Sequence, residues 1–238
     1  NIDKNLKRQI NKGIISSLQA KVALNKIIFS SSFSNLSNPD IVVEAVKEDL
    51  KIKHSIFKKL NELVSKNTIL ATNTSSISIN QISKASNYPQ NVIGMHFMNP
   101  VPMMKLVEII KCDFTDKSIL KRTINYVSSL NKIPIECNDS PGFVSNRILM
   151  PLINEAAFTY MEKVAKAEAI DEIMKLGMGH PMGPLKLADL IGLDVCVSIM
   201  DVLFEGFGNE KYKACPILKE LVENNKLGVK TGEGFYKY

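Results

Sequence analysis

Two ionisable residues stand out in the stretch "IGMHFMNPVPMMKLVEII", residues 93–110. His96 lies in one short apolar run, and Glu108 lies in a second run twelve residues later. Both runs read as buried strands, where an ionisable group is costly unless it has a partner or a task. If the two strands are neighbours, the carboxylate can bond one ring nitrogen, fixing the tautomer and stabilising the imidazolium. The other nitrogen is then free to exchange a proton with a substrate. The competing reading is a core histidine bonded to a backbone carbonyl.

Two further polar clusters sit where strands should end. "VVEAVKED" places Glu44 within a strand and Glu48 just past it, and "ATNTSS" places Asn73, Thr74 and Ser75 after another. In parallel α/β sheets ligands bind at the carboxyl ends of strands. Helix capping accounts for any one of these residues alone; two such ends beside the His96 strand point to a site. No GxGxxG follows a strand. Gly177, Gly179 and Gly183 imitate one, but Pro181 interrupts them and helices flank them, so they read as turn chemistry. Four scattered cysteines with no CxxC read as reduced thiols of a cytosolic protein, and three histidines argue against a histidine-rich metal site.

The elements that must carry these residues follow from periodicity. Residues 3–12 read as a helix with Leu6 and Ile10 on one face and Gly13 as its stop. A serine cluster at 30–37 leads to a turn at Asn38-Pro39. Then come a strand "DIVVEAV", an amphipathic helix from Glu48 to Lys66, a strand "TILATNTS" and a short helix "SINQISKAS". The strands "NVIGMHF" and "KLVEII" are separated by a proline-rich turn, and a helix at 116–131 precedes the strand "IPIEC". This alternation implies a parallel α/β layer sandwich. After "NDSPG" the pattern becomes all-α, with helices at about 144–163, 167–176, 184–205 and 216–225. The expected division is residues 1–139 and 140–238.

Bulk composition agrees with a globular protein of one or two domains: 238 residues, 45% hydrophobic and 23% charged. The net charge of +6 is spread over most helices and reads as a solvated, lysine-rich surface. It would also suit a small polyanion such as a nucleotide or coenzyme A. No nucleic-acid motif is present, so nucleic acid is not an expected partner. No apolar run approaches the roughly 20 residues of a membrane helix and no signal pattern opens the chain. A cytoplasmic setting without membrane association is expected.

Several long motifs in order, "VVEA", "NTSS", "GMHFMNPVPMMKLVEII", "SPGFVSNRIL", "HPMGPLKLADLIGLD" and "KTGEGFYKY", resemble the 3-hydroxyacyl-CoA dehydrogenase family. The last two-thirds look most like its bacterial 3-hydroxybutyryl-CoA dehydrogenases. The resemblance implies a Rossmann-type NAD domain followed by a helical domain that forms a homodimer. It also implies NAD as cofactor, with NADP as the alternative, and a short-chain acyl-CoA substrate. His96 matches the base that takes the proton of the substrate 3-hydroxyl, and Glu108 matches its orienting carboxylate. Ser75 matches a serine contacting the substrate oxygen beside the nicotinamide, and Asn146 matches the helical-domain asparagine that completes the site. Glu48, Lys53, Asn99 and Lys230 match cofactor-contacting positions, and Lys12 is a poorly aligned match to a lysine near the CoA phosphates. On the residues alone, Lys53 reads equally as a solvated helix lysine and Asn146 as a helix-surface residue.

The family pattern opens with a strand, a glycine-rich turn, a helix and a second strand ending in a ribose-binding acid. This sequence begins inside the helix that follows. The expectation is therefore a fragment lacking the glycine-rich segment, with "DIVVEAV" left as an exposed edge and with weak or no NAD binding. An intact mass of the native protein equal to 26.5 kDa would count against it. The rival readings are a non-catalytic binding or structural relative of the same fold, and one module of a multifunctional fatty-acid oxidation enzyme.

Overall fold

The computed structural model describes residues 2–36 and 38–238; Ser37, the last member of the serine cluster, lies outside the described residues. The chain divides into two compact units, Asn1–Ser37 and Asn38–Tyr238.

The first unit holds α1 (Ile2–Asn11), ended by Gly13 at φ +67°, and α2 (Ser17–Asn25). The second helix is not among those expected from periodicity. It is weakly amphipathic, and what marks its start is a capping box. Ser16 Oγ accepts from the Gln19 amide at 3.1 Å, and Gln19 Oε1 accepts from the Ser16 amide at 2.7 Å.

The second unit starts with the sheet. Its strands are β1 (Ile41–Glu44), β2 (Ile69–Thr72), β3 (Val92–Phe97), β4 (Leu106–Lys111) and β5 (Ile133–Asn138), in spatial order 1-2-3-4-5. α3 (Leu50–Leu60) joins β1 to β2, α4 (Ile79–Ser83) lies between β2 and β3, and α5 (Lys117–Ser129) joins β4 to β5. Fully enclosed Ile93, Met95, Val107 and Ile109 form the centre of this layer.

Two differences from the sequence reading have physical causes, and a further feature, the edge position of β1, is the one expected of "DIVVEAV". The sheet is mixed: β1, β2 and β3 are parallel and β4 and β5 are parallel, but β3 and β4 are antiparallel. The connection between β3 and β4, residues 98–105, is too short for the crossover a parallel pair requires, so the chain must turn back as a hairpin. α3 ends at Leu60, well short of Lys66, although Val64 still packs inward beyond it. β1 lies at the sheet edge among the described residues, with Val43 39% exposed, so its "IVVE" run is only part-buried.

The helical layer comprises α6 (Ser145–Met161), α7 (Ala167–Met178), α8 (Pro184–Ile191), α9 (Leu193–Phe207) and α10 (Pro216–Glu223). Met150, Ile153, Leu185, Leu193, Leu203 and Leu218 belong to its core. The single helix expected over 184–205 is two helices, broken at Gly192, whose φ of +104° no helix accommodates. The chain's last residues fold back on this layer. Buried Asp189 accepts from the Phe235 and Tyr236 amides at 3.0 and 2.9 Å and from the Tyr238 hydroxyl at 3.1 Å. Buried Asp171 accepts from the Leu185 and Lys186 amides, both at 2.9 Å, and from the Tyr236 hydroxyl at 2.7 Å.

Candidate active site

The antiparallel register places His96 directly opposite Glu108. Residues so paired project to the same face of the sheet, and their side chains meet. His96 Nδ1 and Glu108 Oε2 are 2.8 Å apart, and the two side chains are 8% and 5% exposed. The histidine's partner is thus a carboxylate and not a backbone carbonyl. Nε2 has no hydrogen-bond partner among the described residues. Nε2 is not fully enclosed, since the one such side-chain polar atom without a partner among the described residues is Asp139 Oδ1.

Glu108 is held from a second side by the helical layer. At the first residue of α6, Ser145 donates its amide to Oε1 at 3.0 Å and its hydroxyl to Oε2 at 2.8 Å. Burial pushes the Glu108 carboxyl up, but the hydrogen bonds from His96 and Ser145 outweigh it and hold the group below the usual carboxylate range. Phe143 closes the other side of the imidazole, with its ring centroid 5.8 Å away. Phe143 is 1% exposed and sits at φ +53°, a conformation rarely adopted by an aromatic residue. It also lines a cleft of about 950 Å³ between β5, α6 and the short 3-10 turn Glu210–Tyr212.

The loop after β2 is pinned at both ends. Glu48 Oε1 accepts from the Thr74 hydroxyl at 2.5 Å, the Ser75 and Ser76 amides at 2.9 and 3.1 Å, and the Ser76 hydroxyl at 3.2 Å. Burial raises the Glu48 carboxyl, and Thr74, the Lys53 charge and the Ser75 amide more than reverse that, so it too lies below its ordinary value. From the helical side, Asn146 Nδ2 donates to the Ser75 carbonyl at 2.8 Å. Asn73 Oδ1 accepts from the Phe97 amide at 2.9 Å, next to His96. Ser75 itself is half-buried.

The structure therefore gathers His96, Glu108, Ser75, Asn146 and Glu48 around one polar seam. Asn146 is 8% exposed, so the helix-surface reading fails. Lys53 is not a solvated lysine: 1% exposed, it bonds both oxygens of buried Glu44 at 3.0 and 3.1 Å and reaches Glu48 at 3.2 Å. Glu44 also accepts from the Thr72 hydroxyl at 2.6 Å. Asn99 is exposed on the β3–β4 turn. Lys230 pairs with Asp194 at the start of α9, so its recorded partner is within the helical layer and not at the seam. Lys12 is exposed in the first unit. Ser145 and Phe143 were not among the residues singled out in the sequence. The signal for Ser145 was its place at a helix start after "PGF"; nothing in the sequence marks Phe143.

A mixed α/β layer whose strand ends carry a histidine–carboxylate pair, closed by a helical layer, is an arrangement chemically able to move a proton. Comparison with known proteins identifies the class. Residues 1–140 match the family described as "3-hydroxyacyl-CoA dehydrogenase, NAD binding domain", and residues 142–238 match "3-hydroxyacyl-CoA dehydrogenase, C-terminal domain". The 3-hydroxybutyryl-CoA dehydrogenase of Clostridioides difficile is 49% identical over 237 residues, covering 100% of this chain and 84% of that protein. That of Bradyrhizobium diazoefficiens is 45% identical over 237 residues, covering 100% and 81%. The crystal structure of (S)-3-hydroxybutyryl-CoA dehydrogenase PaaH1 from Ralstonia eutropha superposes with a TM-score of 0.95 at 43% identity, covering 99% of this chain and 83% of that one. The chain belongs to the 3-hydroxyacyl-CoA dehydrogenase family.

Proposed function

We propose that the protein interconverts a short-chain 3-hydroxyacyl-CoA, with 3-hydroxybutyryl-CoA as the representative substrate, and the corresponding 3-ketoacyl-CoA. Bound NAD would supply the hydride acceptor for C3 when the alcohol is oxidised. His96 Nε2 takes the hydroxyl proton as the C–O bond becomes a carbonyl, and Glu108 stabilises the imidazolium that forms. Ser75 and Asn146, joined through the Ser75 carbonyl, stand where they can orient the substrate oxygen. In the reverse direction the same imidazolium returns its proton to the ketone oxygen.

The cofactor reading draws on the carboxyl ends of the parallel strands, where Glu48, Ser75 and Asn99 offer polar groups of the kind a nicotinamide and its ribose would meet. No glycine-rich loop in the sequence offers a pyrophosphate cradle. Lys53, Lys230 and Glu48 already have charged partners, so the first contact to test is exposed Asn99. The family description supports an NAD-type cofactor, and NADP remains the alternative in this reading. A homodimer through the helical layer is part of this reading, supported by the apolar side chains Ile148, Ile173, Leu176, Met178 and Leu190, all more than half exposed. A cytoplasmic location is part of it too: no described helix is long and apolar enough to cross a membrane, and the four cysteines are free.

The observation that carries the proposal is the 2.8 Å contact between His96 and Glu108 with Nε2 left unbonded. Its test is NADH oxidation by the native protein with acetoacetyl-CoA. His96→Gln is expected to lower kcat by about two orders of magnitude or more, the scale of a lost general acid–base, with an unchanged circular dichroism spectrum. A variant as fast as the parent would remove the dyad from the chemistry.

A further inference from the structure

We infer that Ser145 is a positioning residue for the His96–Glu108 pair, fixing the carboxylate from the helical layer so that one oxygen faces the imidazole. The inference rests on the proposed role of that pair. Glu108 accepts three hydrogen bonds, and two come from this one residue. Oε2 is shared between His96 Nδ1 and the Ser145 hydroxyl, both at 2.8 Å. Oε1 takes the Ser145 amide at 3.0 Å. Rotating the carboxylate about its last torsion would break all three at once.

The amide contact has a second consequence. Val144 precedes α6 and offers no side-chain cap. The Asn146, Arg147 and Ile148 amides bond to backbone carbonyls, whereas the Ser145 amide goes to Glu108. The carboxylate of a sheet strand thus serves as the missing cap of a 17-residue helix. The positive end of that helix in turn favours the ionised carboxylate. Ser145 is also adjacent to Asn146, which holds the Ser75 loop. Any shift of α6 against the sheet therefore disturbs the proton-carrying pair and the substrate-side loop together. Another titratable group that feels the Glu108 charge is the Cys137 thiol on β5. Burial first, then Glu108, Asp139 and Glu136, push it up to about 11, so it stays neutral over the working range.

The test compares the parent with Ser145→Ala, Ser145→Thr and His96→Gln, measuring kcat, both KM values and the pH profile of kcat across about pH 5 to 9. Ser145→Ala keeps the amide contact and loses only the hydroxyl. A fall of about tenfold in kcat is expected, with each KM within about twofold. Losing a donor to the ionised carboxylate makes the pair hold its proton to higher pH, so the acidic limb of the profile, measured in the direction of alcohol oxidation where the imidazole must be unprotonated, should move upward. Ser145→Thr, which restores the hydroxyl, should restore both rate and limb. Should Ser145→Ala fail to fold, Ser145→Cys, a weak donor of similar size, takes its place with the same expectations. The inference is overturned by a Ser145→Ala enzyme with the parent's kcat and limb, or by a loss that threonine does not repair. If His96→Gln falls while Ser145→Ala does not, only the serine's role is lost. If His96→Gln keeps the parent's rate, the reading of the pair itself is at fault.

Discussion

Lys53 and Glu44 are each 1% exposed in their side chains, and each has only the other's charge, with Glu48 at the rim, to offset its burial. Two charges taken from water need each other more than the fold needs either, so removing one partner costs far more than the pair contributes. Lys53→Met is therefore expected to lower the unfolding free energy by about 3 kcal/mol, because Glu44 would remain buried without its cation. Urea denaturation followed by circular dichroism measures it. An unchanged midpoint with a raised KM for NADH would instead support the cofactor contact implied by the family resemblance. The same scale shows what a sequence exposes. The His96–Glu108 pair was readable because each is an ionisable residue within a short apolar run, and two neighbouring strands suffice to bring such groups together. The burial of Lys53 was not readable: a lysine on an amphipathic helix looks solvated until its carboxylate, nine residues upstream on a strand, is folded beneath it.

Gly192 separates α8 from α9, and its backbone carries the bend. At φ +104° a side chain is strained, and a Cβ there would come within 3.0 Å of Asp194 Oδ1 and of Lys230 Nζ. Gly192→Ala should cost about 1–3 kcal/mol and shift the thermal midpoint down. A midpoint equal to the parent's would show that the break does not depend on glycine. Periodicity over 184–205 is continuous across this position, which explains why one long helix was expected: apolar spacing survives a break when the second helix resumes on the same core. The direction of β4 was misjudged for a related reason. Composition tells that a strand is buried, while only the length of its connection tells which way it runs. α2 escaped because its signal is a cap and not a stripe.

At the level of the whole protein, acid should act through the seam that joins sheet and helices. Glu48 and Glu108 both lie below their ordinary value of 4.5 in the folded state. A depressed carboxyl contributes stability that is fully present above its unfolded value and is lost as pH falls through the folded one. The unfolding free energy should therefore decline as pH drops below about 4.5, and Glu108→Gln should flatten that decline. Asp189 works in the opposite sense: burial raises its carboxyl above 3.8, so its contribution is present below that value and fades as pH rises. A stability profile from chemical denaturation at stepped pH, flat through 4.5 in the parent, would contradict the assignment. The two-layer architecture was largely legible from alternation followed by helices alone, since each layer has its own period. The seam between them was not, because its bonds join residues far apart in the chain, as Ser145 is from Glu108.

Tyr236 gives its hydroxyl to buried Asp171 of α7 and Tyr238 gives its hydroxyl to buried Asp189 of α8, and Tyr238 also returns its amide to the Gly232 carbonyl. These final residues behave as a latch on the hydrophobic interior and not as a loose fringe. A double variant Tyr236→Phe, Tyr238→Phe would leave both carboxylates short of a donor in the middle of the helical layer.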